Sequence, residues 1–278
     1  MVSDMEASLQ VGTGGEYGLV SVITPAYNAE RFIPETIESV RSQTYTDWEM
    51  LIVDDGSTDG TGDIVARYAD PRIRYIRHAR TLGASEARNT ALRNARGRWI
   101  AFLDSDDLWE PHKLERQLGF MAANGFSFTY TDYLETDGDS RPTGTWVTGP
   151  ARIGYRGMLA YCWPGCLTVV YDSSLTGLVQ ADGGNITDDY AVWLQVVRHA
   201  DCVLLPERLA RHRRVTGSLS DRSYAYKIRR HYLFFRSGLN MNPVSACLMT
   251  LVNLAFGILK KIVYVRKEHQ SPHAEEYL

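Results

Sequence analysis

Carboxylates cluster at two points in the N-terminal half, each directly after a short apolar run. Asp54-Asp55-Gly56-Ser57-Thr58-Asp59 follows residues 50–53, and Asp104-Ser105-Asp106-Asp107 follows residues 99–103. Helix capping accounts for Ser57, Thr58 and Asp59, because Ser, Thr and Asp are favoured caps. It leaves Asp54 and Asp55 unexplained: two successive carboxylates at the end of an apolar strand must be solvated or bound. Either can accept a hydrogen bond from a nucleobase N–H or from ribose hydroxyls, while Gly56 permits the tight turn. In the second cluster three carboxylates in four positions repel one another unless a cation lies among them. Mg²⁺ and Mn²⁺ take oxygen ligands and need only one or two carboxylates when substrate phosphates complete the shell. Asp-x-Asp at a strand end therefore predicts a place to hold a metal–diphosphate.

A third feature is Thr187-Asp188-Asp189-Tyr190, which opens a helical stretch over residues 188–199 with Val192, Trp193, Val196 and Val197 on its buried side. Thr187 suits an N-cap, and Asp188 and Asp189 complement the positive end of the helix. A carboxylate at a helix start that faces a cleft can also serve as general base on a hydroxyl. Both readings stand at this level. Other chemistries find no support: there is no G-x-x-x-x-G-K-[ST], no G-x-S-x-G and no H-E-x-x-H. The histidines (78, 112, 199, 212, 231, 269, 273) show no ligand spacing and read as surface or structural groups. Cys162, Cys166, Cys202 and Cys247 contain no C-x-x-C pair and read as reduced thiols in or near the core. Gly12, Gly14, Gly15 and Gly18 precede the first strand, so they do not make a dinucleotide-binding turn. The sequon at Asn185 has no expected consequence without a secretion signal.

The elements that must carry these residues alternate. Strands are expected at 19–24, 50–53, 73–76 and 99–103. Helices are expected at 32–43, over the segment holding Ile64, Val65 and Tyr68, and at 84–95. Such alternation implies βαβ units, a parallel sheet and ligands at the carboxyl ends of the strands. Farther on, strands are expected at 126–133, 166–171 and, as the last one, 203–205, with a polar loop over 137–149 and basic residues Arg208, Arg211, Arg213 and Arg214 after the final strand. The composition, 44% hydrophobic and 23% charged, is that of a globular protein, and a net charge of −3 gives no general attraction for nucleic acid. Residues 1–18 read as a flexible arm with no basic region of a secretory signal. Residues 243–259 carry no charge, and Lys260, Lys261, Arg266 and Lys267 follow. This length sits at the lower edge of the roughly 17–25 residues of a spanning helix. An amphipathic helix on an anionic membrane surface is the more economical expectation, with a soluble helix docked on the core as the alternative.

Together these features resemble family 2 inverting glycosyltransferases of the GT-A fold. The resemblance is carried by Ser21-Val-Ile-Thr-Pro-Ala-Tyr-Asn28, Ile37-Glu-Ser-Val-Arg-Ser-Gln-Thr44 and Leu51-Ile-Val-Asp-Asp-Gly-Ser-Thr-Asp59. It continues in Gly83-Ala-Ser-Glu-Ala-Arg-Asn89 and Phe102-Leu-Asp-Ser-Asp-Asp107. It is dense over 19–113, thinner over 165–171 and 187–218, and nearest to bacterial members that build exopolysaccharide, teichuronic acid or O-antigen units. It implies an α/β fold of GT-A type, a Rossmann-like, nucleotide-binding, mostly parallel sheet flanked by helices, with C-terminal helices. The implied divisions are a catalytic domain at 19–220, with a nucleotide-sugar half at 19–113 and an acceptor half at 114–220, and a helical, membrane-associated segment at 221–278. On the donor side the resemblance implies Pro25 and Tyr27 around the base, Asp55 on uracil and Arg88 near the donor. Asp104 falls on the ribose side, and Thr24, Asp54 and Ser105 complete the set. Asp106 matches the ligand of Mg²⁺ or Mn²⁺. Asp189 matches the base in a Glu-Asp pair whose first position is Asp188 here. The expected partners are a nucleotide-sugar, with UDP as the nucleotide, a glycan acceptor on a polyprenyl diphosphate, and the cytoplasmic face of the plasma membrane. Gln-x-x-Arg-Trp is missing, which implies one sugar per encounter. Two other classes compete: a nucleotidyltransferase, for which 24–31 is the wrong phosphate loop, and a non-catalytic membrane-bound assembly factor, for which Asp106 and Asp189 would be superfluous.

Overall fold

The computed structural model describes residues 16–180, 188–215 and 223–267. Most of the expected N-terminal arm, Thr187 and the Asn185 sequon lie outside them. The first half follows the expected alternation: β1 (Val20–Ala26), α1 (Ile33–Arg41), β2 (Trp48–Asp54), α2 (Thr61–Ala66), β3 (Ile73–Arg77), α3 (Ala84–Asn94) and β4 (Trp99–Phe102). The four strands lie side by side in the order β3-β2-β1-β4, all parallel. Their apolar runs are continuous because both faces are covered. Ile23, Leu51, Val53, Ile100 and Phe102 enter one core cluster, and Val20, Val22, Met50, Ile52, Trp99 and Ala101 enter the other.

After β5 (Leu108–Trp109), α4 (Lys113–Asn124) and β6 (Phe128–Thr136), the chain forms β7 (Pro142–Val147), β8 (Arg152–Ile153), α5 (Tyr155–Ala160), β9 (Val170–Asp172) and α6 (Ser173–Thr176). It continues through α7 (Asp188–Val196), β10 (Cys202–Arg213), α8 (Tyr224–Leu233), α9 (Pro243–Val263) and β11 (Val265–Lys267). Here the sheet becomes largely antiparallel: β9 pairs with β4 and β6, β7 pairs with β6, and β11 pairs with β7. The one further parallel pair joins β10 to β6.

Four expectations are corrected. Residues 142–147 are a strand, not part of a polar loop, because a hairpin at Asp137–Arg141 folds them back on β6. Residues 166–168 form a 3₁₀ turn, and only Val170–Asp172 is strand. The strand expected at 203–205 runs for 12 residues and includes Arg208, Arg211 and Arg213. Its apolar alternation is broken by register shifts on either side of Arg208 and by charges spent on distant acids, such as Arg211 on Glu110. It is also not the last strand, since β11 extends the central sheet from the C-terminal segment. Of the four cysteines, all free, Cys247 is exposed rather than near the core.

The turn into β4 brings backbone against backbone. The Gly97 N–H donates to Ser21 Oγ (2.8 Å), which donates to Glu49 Oε1 (2.7 Å). A Cβ at Gly97 would lie 2.6 Å from both Leu19 O and Ser21 N. Gly97→Ala is expected to lower unfolding free energy by about 1–3 kcal/mol, the scale of core overpacking. Urea denaturation reads this directly, and an unchanged midpoint would contradict so close an approach.

Candidate active site

β1 and β2 end together, with the Asp55 N–H donating to Ala26 O (2.8 Å). Gly56 follows at φ +77°, and a Cβ there would come within 3.1 Å of the backbone at Arg80 and Thr81. Asp54 is fully buried: Oδ1 accepts from the Ser57 N–H (2.7 Å), and Oδ2 is bonded by the Tyr75 hydroxyl. Burial, with that carboxylate second, pushes the Tyr75 phenol far above its usual range. Asp55 Oδ1 accepts from the Leu82 N–H (2.9 Å) and pairs with His78 Nδ1 (2.7 Å), and Oδ2 accepts from the Gly83 N–H (2.7 Å). His78 Nε2 in turn meets Thr90 Oγ1 (3.0 Å) on α3. The two carboxylates are thus bonded within the protein and hold the loop that opens α3. Ser57 and Thr58 cap no helix: α2 starts later, and Asp59 Oδ1 accepts from the Thr61 N–H (3.0 Å) instead. Thr24 is buried in β1 with its hydroxyl unpartnered, Pro25 is half-buried, and Tyr27 is 53% exposed at the rim.

The acidic loop after β4 distributes its charge unevenly. Asp104 Oδ1 accepts from Arg88 Nη2 (2.6 Å), so α3 neutralises the first carboxylate. Asp107 is buried, accepts from the Arg213 N–H (2.9 Å) and pairs with His212 Nδ1 (3.0 Å), so β10 holds the last. Burial disfavours charge on His212, yet Asp107 outweighs it and the imidazole pKa is raised. Ser105 lies half-buried between them, its carbonyl accepting from Thr36 Oγ1 (3.0 Å). Asp106 receives no bond from any other described residue. Burial first, then the charges of Asp107 and Asp104, push its carboxyl up to about 7. Among the described residues no three His, Cys, Asp or Glu side chains gather closely enough to cage an ion. One unengaged carboxylate between two engaged ones nevertheless fits Mg²⁺ or Mn²⁺, which draw their remaining ligands from a diphosphate and water.

The later helix is tied to the same strand end. Trp193 of α7 meets Phe102, the last residue of β4, edge-on at 5.0 Å between ring centroids, and Phe128 of β6 at 5.9 Å. The Tyr190 hydroxyl donates to Leu159 O (2.7 Å). These contacts set the first turn of α7, where Asp189 is half-buried and accepts from the Tyr190 N–H (2.9 Å). Asp188 starts the helix, and its side chain lies outside the described residues. Cys166 sits where the two parts meet: burial raises its thiol well above the usual range, and Asp104, Asp189 and Asp107 add to this against Arg88. Cys166 is a thiol packed against the core and His212 a structural partner of Asp107, as expected, but their place beside the acidic loop was not legible. Only the clustering of basic residues beside His212 was a visible signal.

The profile of glycosyl transferase family 2 matches residues 21–161. The chain belongs to that family. Among its relatives, WfgD of Escherichia coli is 43% identical over 180 residues (65% of this chain, 70% of WfgD), and WfaP of Escherichia coli is 38% identical over 232 residues (83% and 91%). Both are named UDP-Glc:alpha-D-GlcNAc-diphosphoundecaprenol beta-1,3-glucosyltransferase. TuaG of Bacillus subtilis, named for teichuronic acid biosynthesis, is 41% identical over 209 residues (74% and 83%). Among solved structures, S. aureus TarS 1–349 with UDP-GlcNAc aligns at a TM-score of 0.64 and 20% identity, covering 83% of this chain and 70% of that one. The Pyrobaculum calidifontis mannosyltransferase PcManGT, in complex with GDP-Man and Mn²⁺, aligns at 0.61 and 18%, covering 92% and 79%. At such identity the likeness is one of fold, and the fold of this glycosyltransferase is GT-A.

The crowded acidic loop destabilises the metal-free glycosyltransferase. With the Asp106 pKa raised from 3.8 to about 7, ionisation opposes folding progressively as pH climbs between those values and fully above the higher one. Asp106→Asn is therefore expected to melt at a higher temperature than wild type at pH 8 in chelator, with the advantage fading towards pH 4. Equal melting temperatures at pH 8 would contradict the crowding.

Proposed function

We propose that this glycosyltransferase moves one sugar from a UDP-sugar to a hydroxyl of a glycan carried on a polyprenyl diphosphate, inverting the anomeric carbon. It would act in bacterial surface polysaccharide synthesis at the cytoplasmic face of the plasma membrane. The observation that carries this is that Arg88 of α3 bonds Asp104 beyond the end of β4 while Trp193 packs α7, whose first turn holds Asp189, on Phe102 at the end of the same strand, which supports one site for donor-side charges and a candidate base.

On the donor side, Pro25 and Tyr27 flank the base. Asp55 Oδ2 carries a single described bond and so retains acceptor capacity for the uracil N–H. Thr24 and Asp54 back this wall. Asp104 and Ser105 face the ribose, and Arg88 is within reach of both Asp104 and the diphosphate. Mg²⁺ or Mn²⁺ held at Asp106 would neutralise the charge that develops on the departing UDP. Asp189, with Asp188 beside it in sequence, takes the proton of the acceptor hydroxyl as that oxygen attacks the anomeric carbon opposite the bond to UDP. An α-linked donor then gives a β-linked product. The names of WfgD and WfaP support the pairing, since UDP-glucose is α-linked and their product is β-1,3 on a GlcNAc-diphosphoundecaprenol acceptor. The absence of Gln-x-x-Arg-Trp supports a single addition.

Asp189→Asn is expected to cut kcat on the order of 10²–10⁴ while leaving UDP affinity by isothermal titration within a few-fold. Asp106→Ala is expected to cost a similar factor and to remove the Mn²⁺-dependent part of UDP binding. Near-normal turnover by Asp189→Asn would overturn its assignment as base, and an α-linked product by NMR from an α-linked UDP-sugar would overturn inversion.

A further inference from the structure

Helix α9 turns several of its large apolar side chains outward. Asn242 caps it, accepting from the Ser245 N–H (2.9 Å), and Pro243 occupies its first turn. The residues it buries are Ala246, Thr250 and Asn253. Those it turns outward are Val244, Leu248, Leu251, Ile258 and Ile262, between 60% and 78% exposed. They recur at intervals of three, four or seven residues and form one stripe along the helix. Only 17% of its most apolar stretch is buried, so it is not the core helix of a globular domain. A stripe of this length left to water marks an interaction surface.

Charge identifies the partner. Residues 223–267 contain eight Lys and Arg and no Asp or Glu, in a chain whose overall charge is −3. A second copy would set one such basic surface against another with no acid between them. An anionic lipid surface complements both the charge and the stripe. α8 adds interfacial chemistry: Tyr224 is 68% exposed, and Lys227 and Lys261 lie 5.5 and 5.4 Å from its ring. Crossing the bilayer is opposed by what the inward side holds. Asn253 Nδ2 donates to Ala160 O (3.2 Å), Lys260 Nζ donates to Trp163 O (2.7 Å), and Phe256 packs on Trp163 (5.7 Å). Directly after α9, β11 joins β7 in the central sheet, so the end of the helix is anchored to the catalytic fold.

We propose that α9 lies in the plane of an anionic bilayer, its outward stripe seated at the acyl boundary and its polar inward stripe docked on the acceptor half. This deepens the membrane location proposed above. Because α9 grips Ala160 and Trp163, at the start of the strip that runs to Cys166, the seat turns the acceptor side of the cleft towards the lipid.

The test is flotation of the full chain with phosphatidylcholine vesicles, with and without phosphatidylglycerol, in the absence of donor and acceptor. Binding to the anionic vesicles is expected, and Leu248→Asp/Leu251→Asp/Ile258→Asp should weaken it by about tenfold or more with an unchanged melting temperature. Bound protein should be released by alkaline carbonate. No binding by wild type, or undiminished binding by the triple variant, overturns the seat. Resistance to carbonate overturns the in-plane orientation in favour of a span. A wild-type dimer in light scattering that the triple variant abolishes, without vesicle binding, assigns the face to a second copy. Transfer activity is not read in this experiment, so failure of the sugar-transfer assignment would leave these outcomes intact.

Discussion

Three carboxylates in the four positions from Asp104 to Asp107 cannot share a buried loop unless their charge is met. Arg88 arrives from α3 for Asp104, and His212 with the Arg213 backbone arrives from β10 for Asp107. These arms come from elements far apart in the chain, α3 and β10, so the loop is built only when both are in place. Asp106 is left between two satisfied neighbours, and burial with their charges pushes its carboxyl up to about 7.

Aromatic packing sets the distance over which this charge can act. Trp193 wedges against Phe102 and Phe128, so the start of α7 and the end of β4 share one core contact. Large rings packed edge-on tolerate little displacement. The first turn of α7, which holds Asp189, is thereby tied to the end of β4, from which it is distant in sequence. Asp54 and Asp55 play a comparable role: they bind Tyr75, His78 and the 82–83 backbone and shape the entry to α3.

The C-terminal helices are tied to the same fold, because β11 follows α9 directly and pairs with β7. α9 turns Asn253 and Lys260 inward with Ala246 and Phe256, and leaves Val244, Leu248, Leu251, Ile258 and Ile262 outside. Asn253 and Lys260 join the helix to the segment of Ala160 and Trp163.

The sequence by itself determined β1, β2 and β4, because strands buried on both faces must be apolar throughout, and it placed acids at their carboxyl ends. It also determined the family, through motifs that keep their order along the chain, and the apolar length of α9. Tertiary structure alone decided that Asp54 and Asp55 are bonded within the protein, since their partners Tyr75 and His78 belong to β3 and the turn after it. It alone decided that Cys166 and His212 sit at the acidic loop, that β7 and all of β10 are strands, and which side of α9 faces the solvent. Each of these depends on a contact between residues far apart in the chain, such as Arg211 with Glu110 or His212 with Asp107, and local periodicity carries no trace of a partner's position.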